Sequence, residues 1–524
     1  MSAVEDLKQR LGIIADLDAT AAVLGWDQET YMPPGAIEAR AEQLTTLARL
    51  SHEKFTDEEI GRLLEAAATE LDGTSFDVGN PAFDSDDASL VRVATRDWKR
   101  ATKIPADLVA RLAHASSMGQ QAWQQAREVS DFSVFKSHLE AIVELTGEKA
   151  EALGYKDRIY DPLLAEFEPG ISTAEIESLF TTLRERLIPI VQELTEETSS
   201  GGITDYESPP TAQSQIALPP LDRSFDEAAQ WDFGVAVIKD FGFDFKHGRQ
   251  DRSAHPFTTA FSVADVRLTT RIHEDFLPAG LFGTLHECGH GLYEQGFAPE
   301  LARTPLADGA SLGLHESQSR LWEILIGRSR PFWTHYFPKL SESFPKTLDG
   351  IDPDAFYRAI NVVRPTLIRV ESDEVTYNLH IMLRFEIENA LLEGRVLVED
   401  LPDVWNDGME RYLGIVPDSD ANGVLQDIHW SMGAIGYFPT YTLGNLMSSQ
   451  IFTRLREDIP DLDEQTASGR FGQLLSWLRE NIHRHGRKFT ASELLDRLDC
   501  GALSADPWLE HIRTKYSELS GKNL

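Results

Sequence analysis

Two cysteines in 524 residues, Cys288 and Cys500, are too few for a disulfide framework. Basic residues are scarce as well: 49 Lys and Arg stand against 85 Asp and Glu, a formal net charge of −36. That balance excludes the basic patches that nucleic-acid phosphates demand. No apolar run approaches the length needed to span a bilayer, and no charged-then-apolar leader opens the chain. The expectation is a cytoplasmic protein with neither nucleic acid nor membrane as partner. The acidic residues are spread along the chain rather than gathered in a tail, and arginine outnumbers lysine. A self-repelling, soluble surface is the ordinary reading. Adaptation to high salt, where screening relieves that repulsion, is the sharper one.

What the chain does contain is helix periodicity. Apolar residues recur at three- and four-residue spacings through Leu7, Leu11, Ile14 and Leu17, and again at Leu44, Leu47 and Leu50. Pro33 and Pro34 break the pattern, with a helix expected from Ala36. Residues 73–90 read as a polar loop, and long amphipathic helices are predicted near 106–129 and 134–153. The organisation expected is a single catalytic unit over 1–524. Within it lie an N-terminal helical region to about 198, a Gly/Ser/Pro-rich connection over 199–222, a core over 250–450 and C-terminal helices. One β-like pattern interrupts the helices: runs at Thr258–Ser262 and Val266–Ile272 flank a turn and predict a hairpin in a small antiparallel sheet.

Directly after that hairpin comes HECGH, His286 to His290, opened by Pro278 near the start of a helix. Helical spacing puts His286 and His290 on one face, close enough to share a metal ion, with Glu287 beside them. Two His ligands and a carboxylate able to take a proton from water are the parts of a zinc hydrolase. Cys288 falls on the side shared with Leu281, Leu285 and Leu292, which favours a buried thiol over a ligand.

A third ligand is sought downstream, in GASLGLHESQSRLWE. Glu316 is favoured over its neighbour His315, because a carboxylate leaves the site less positive. Adjacent helical residues diverge by about 100°, so only one of the two should face the metal. A developing oxyanion needs a second electrophile besides the metal, and His429, Tyr437 and Tyr441 are candidates, each equally suited to an aromatic core. Arg369, in IRVESD, suits a substrate carboxylate, though for an isolated Arg in a helix-like run with Glu371 and Asp373 an ion pair is the commoner fate. His255, in DRSAHPF, taken alone reads as a buried, hydrogen-bonded histidine.

These pieces occur in a familiar order. DRSAHPF (Asp251 to Phe257), HECGH, HESQ (His315 to Gln318), IRVESD (Ile368 to Asp373) and GVLQDIHW (Gly423 to Trp430) together resemble the Taq-type thermostable carboxypeptidases, a family of zinc metallocarboxypeptidases. LGWDQETYMPPG and GYFPTYTLGN fit as well, so the resemblance covers nearly the whole chain. One departure is visible: the family pattern IRxxAD has Ser372 in place of Ala, a small change that bears on packing rather than charge. The resemblance implies a mostly helical metallopeptidase domain with a deep groove, similar to neurolysin and angiotensin-converting enzyme, and a homodimer. It implies His286, His290 and Glu316 as metal ligands and Glu287 as general acid/base. Arg369 becomes the carboxylate anchor, His255 a wall of the groove and Tyr437 the oxyanion donor, with His429 beside the substrate.

The leading expectation is therefore a carboxypeptidase that releases single residues, with broad preference, from peptides bearing a free C-terminal carboxylate. Zn²⁺ is the expected cofactor, and Co²⁺ also suits such a site. An oligopeptide endopeptidase or a dipeptidyl carboxypeptidase is the alternative on the same scaffold. A helical binding protein with a structural metal is the alternative outside the enzymes.

Overall fold

The first periodic run becomes the helix Ala3–Thr30, closed at its start by a capping box in which Ser2 and Glu5 satisfy each other's backbone N–H groups. Leu7, Leu11 and Ile14 bury one face of it and meet Ile60, Leu64, Leu90, Val91 and Ala94 in one apolar cluster. Pro33 and Pro34 act as expected: Pro34–Ala36 is a 3-10 turn and the next helix is Ile37–Phe55. The two helices predicted further on occupy Ala106–Val129 and Ser133–Leu153. The structure, a computed structural model, describes residues 2–71, 76, 78, 80–200, 221 and 223–524.

Three expectations need correction or restriction. The 73–90 loop is shorter than its composition suggests. Pro81–Asp84 is a 3-10 turn, and the helix Asp86–Ala101 starts where Ser85 Oγ accepts the Ala88 N–H. Of the 199–222 connection, residues 201–220 and 222 lie outside the described residues, while Ser199 and Ser200 close the helix Thr173–Ser200. The sheet is mixed rather than antiparallel. The predicted hairpin is present as β2 (Thr258–Ser262) and β3 (Asp265–Thr270), but β1 (Gly248–Arg252) pairs parallel to β3 on its other side. GRQDR lacks the apolar alternation that marks a strand in sequence, because β1 is held by its ladder to β3 and buries only Gln250 and Asp251.

The chain forms two compact units, each assembled from three segments: 1–102, 218–360 and 451–502 in the first, 103–217, 361–450 and 503–524 in the second. This division cuts the 250–450 core at residue 360, so HECGH and Glu316 belong to the first unit and Arg369, His429 and Tyr437 to the second. Both units are built mainly of helices, and the three-stranded sheet lies in the first. Among the described residues, no helix is long and apolar enough to cross a membrane.

Candidate active site

In the first unit, HECGH lies within the helix Leu277–Glu294, which has Pro278 in its first turn. Leu281, Leu285, Cys288 and Leu292 form its buried stripe, and burial pushes the Cys288 thiol well up, so it stays protonated and packs. Two glycines let neighbouring elements come close on either side of the histidines. A Cβ on Gly289 would sit 2.5 Å from Ser319 Cα, and one on Gly291 would sit 2.7 Å from a methyl of Leu268 in β3. The first approach seats the helix Leu312–Arg320, and with it Glu316, directly against the histidines.

Three donor atoms converge there. His286 Nε2 and His290 Nε2 lie 3.2 Å apart, and Glu316 Oε2 is 3.6 Å from the first and 3.5 Å from the second. The set can hold a metal ion, with its ligand atoms all within 4.8 Å of one another. The outer nitrogens fix the tautomers. His286 Nδ1 faces Glu323 Oε2 at 2.9 Å, and His290 Nδ1 faces the His315 carbonyl at 3.1 Å. Each Nδ1 is therefore the proton donor, which leaves two Nε2 lone pairs and a carboxylate oxygen aimed at one point. Such a grouping calls for a cation, and a proton on His286 competes for the same place. Burial opposes charge on both rings, but Glu316 and Glu323 raise His286 to about 9, while His290, beside His315 and His286, falls to about 3.

His315 turns away from this point. Its Nε2 pairs with Glu294 Oε1 at 2.7 Å and its ring stacks on His290, with centroids 4.4 Å apart. Glu287 is buried, and its Oε2 lies 2.7 Å from the hydroxyl of Thr258 in β2. Burial raises the Glu287 carboxyl, against the opposing pull of His286 and the Thr258 hydrogen bond. His255 is exposed, which overturns the buried reading of that residue, and its carbonyl accepts a hydrogen bond from Ser253 Oγ at 2.6 Å.

The second unit gathers the remaining candidates. Arg369 lies in a 3-10 turn, Arg369–Glu371, rather than on a helix, and its partners are neither Glu371 nor Asp373. Asp373 is occupied instead by the backbone N–H groups of Arg364, Val375 and Thr376. The buried Arg369 guanidinium donates to Asp427 Oδ1 from Nε and Nη2, at 3.0 and 2.8 Å, and to Tyr377 Oη from Nη1 at 2.9 Å. Arg384 Nε donates to the other oxygen of Asp427 at 2.6 Å. Two buried guanidiniums thus share one carboxylate, and the trio carries one positive charge in excess. His380, buried close by, is pushed well below the usual histidine range by burial and by both arginines, so it adds no charge.

Beside the trio, His429, Tyr437 and Tyr441 form an aromatic group. His429 Nε2 is 3.2 Å from Tyr441 Oη, the Tyr437 ring lies 5.3 Å from His429 and 5.4 Å from Tyr441, and the Arg369 guanidinium is 5.0 Å from the Tyr441 ring. Burial and the two arginines outweigh Asp427 and bring His429 down to about 4, so its imidazole is neutral.

The residues not singled out in the sequence are Thr258, Arg320, Glu323, Arg384 and Asp427. Two signals were available. Glu316, Arg320 and Glu323 stand at helical spacing, and Asp427 lies inside the QDIHW stretch.

The chain is similar to known proteins over nearly its whole length. The chain is 40% identical to thermostable carboxypeptidase 1 of Thermus thermophilus, over 98% of both chains. The crystal structure of an M32 carboxypeptidase from Deinococcus radiodurans matches with a TM-score of 0.91 and 39% identity, covering 99% of this chain and 100% of that one. Metallocarboxypeptidase 1 of Trypanosoma cruzi matches with a TM-score of 0.89 at 30% identity, over 98% of this chain and 99% of that one. Residues 6–516 fit the family described as carboxypeptidase Taq (M32) metallopeptidase. A His₂Glu donor set on a chain that follows these enzymes almost from its first residue to its last assigns it to that family, as a metal-dependent carboxypeptidase.

Proposed function

We propose that the chain is a zinc carboxypeptidase that releases single residues, with broad preference, from peptides with a free C-terminal carboxylate. The observation that carries this reading is the convergence of His286 Nε2, His290 Nε2 and Glu316 Oε2 next to the buried carboxylate of Glu287. When bound, Zn²⁺ supplies Lewis acidity, lowering the pKa of water and polarising the scissile carbonyl. Glu287, held at Oε2 by Thr258, takes the proton from the attacking water and passes it to the leaving amine. Burial suits it to both tasks, because a carboxyl raised above its usual value holds and returns a proton more readily.

Arg369 binds the terminal carboxylate of the peptide. The excess positive charge that Arg369, Arg384 and Asp427 hold supports this role, since an incoming carboxylate neutralises it. Tyr437 donates to the developing oxyanion, with His429 and Tyr441 framing the same group of rings. His255, exposed on the segment between β1 and β2, limits entry of the chain. Co²⁺ can take the place of Zn²⁺ at this donor set. A cytoplasmic homodimer completes the proposal, supported by sparse cysteine use and by the family resemblance.

Metal analysis combined with a peptide-ladder assay tests the reading. One equivalent of zinc and a ladder of products one residue apart are expected. Undiminished cleavage of a peptide blocked as its C-terminal amide overturns it.

A further inference from the structure

The two oxygens of Glu316 are not equivalent. Oε2 faces His286 and His290 and takes only a long hydrogen bond from Ser319 Oγ at 3.3 Å, whereas Oε1 accepts a charge-assisted one from Arg320 Nε at 2.6 Å. The same guanidinium reaches Glu323 Oε2 through Nη1 at 3.4 Å, and that oxygen is the partner of His286 Nδ1. Arg328 lies 3.8 Å from the other oxygen of Glu323. Glu316, Arg320 and Glu323 stand at i, i+4 and i+7 along one run, and the helix widens into a π-turn, Leu321–Ile326, immediately after Arg320. Arg320 is therefore bonded to one metal-ligand candidate and to the residue that orients another.

We propose that Arg320 is a positioning residue that sets how Glu316 binds the metal. A free carboxylate can offer a metal one oxygen or both. With Oε1 taken by a charge-assisted hydrogen bond, Glu316 presents Oε2 alone, and a coordination position is kept for water. A lysine at 320 would preserve the charge but not the planar, two-ended reach that serves Glu316 and Glu323 together. This inference rests on the reading of His286, His290 and Glu316 as the metal site.

The test uses the full chain, stripped of metal and reloaded with Zn²⁺ or Co²⁺, as wild type, Arg320→Lys and Arg320→Gln. Affinity is read by competition with a chromophoric chelator, and coordination by the visible spectrum of the Co²⁺ form. Both variants should bind Zn²⁺ about 10- to 100-fold more weakly. Their Co²⁺ bands should lose intensity as a second carboxylate oxygen joins the ion, while metal-free Arg320→Lys, which keeps a positive charge beside Glu316 and Glu323, melts close to wild type. Wild-type affinity and an unchanged spectrum in a folded variant overturn the proposal. Loss of folding in both metal-free variants overturns it too, because Arg320 is then structural. If the wild-type chain takes up no metal, or His286→Ala retains it, the underlying metal site is what fails.

Discussion

Arg369 and Asp427 meet through two nitrogens on a single carboxylate oxygen, Nε at 3.0 Å and Nη2 at 2.8 Å from Oδ1, which leaves Oδ2 to Arg384. All three groups are buried or nearly so, and burial alone would oppose ionisation of Asp427. The two arginines nevertheless hold its carboxyl well below the usual range. Removing the carboxylate leaves two like charges in low dielectric. Asp427→Asn should therefore destabilise the protein by about 3–5 kcal/mol in denaturant melts. Arg369→Lys, which keeps the charge but loses the fork, should raise KM for free-carboxylate peptides by about 10- to 100-fold with a smaller change in kcat. Steady-state kinetics on one peptide series decides this, and equal losses in KM for an amidated peptide would count against the anchor.

Glu287→Gln keeps the size of the side chain and the contact with Thr258 but removes the base. The expected outcome is a fall in kcat of about 100- to 10,000-fold with metal content and melting behaviour unchanged. Loss of the metal together with the activity would show that Glu287 has a different role.

Gly289 is where the HECGH helix meets the backbone of Ser319, and a methyl group placed 2.5 Å from a Cα has no flexible neighbour to displace. Gly289→Ala should push the Glu316 helix away and cost about 1–3 kcal/mol of stability, as overpacking does. It should also weaken metal binding, measured by chelator competition. Gly25 provides the control: a Cβ there meets nothing within 4 Å, so Gly25→Ala should be neutral or stabilising.

Glu388 is fully buried in the second unit and accepts from Tyr160 Oη at 2.6 Å, Trp430 Nε1 at 2.9 Å and the Gly436 N–H at 3.1 Å. Burial outweighs these donors and raises its carboxyl from 4.5 to about 7. The folded chain therefore holds this proton more tightly than the unfolded one. Stability from this group is present below about 4.5 and falls as pH rises toward about 7, by ~3 kcal/mol in all. Denaturant melts across that window should show wild type losing stability relative to Glu388→Gln as pH rises, and a constant difference would exclude the assignment.

The charge of −36 predicts a salt response. Melting temperature should climb with potassium chloride as screening relieves self-repulsion. A flat or falling series would remove the case for high-salt adaptation.

What the sequence by itself determined is local in origin. The helices Ala106–Val129 and Ser133–Leu153, the hairpin β2–β3 and the facing pair His286 and His290 all follow from periods of 3.6 and 2.0, which need only neighbours along the chain. The order of short motifs pointed to the family for a similar reason, since each motif is contiguous. What only the tertiary structure decided depends on residues distant in sequence. β1 exists because it pairs with β3, and GRQDR carries no strand pattern of its own. That Glu316 lies with His286 and His290 while His315 pairs with Glu294 follows from the packing of two helices that come close at Gly289. Arg369, read alone, suggested a surface or interhelical ion pair, and its carboxylate partner proves to be Asp427, fifty-eight residues away. A charge in sequence has no address until folding buries it, and burial then decides whether it is paired, shared or left to meet a ligand.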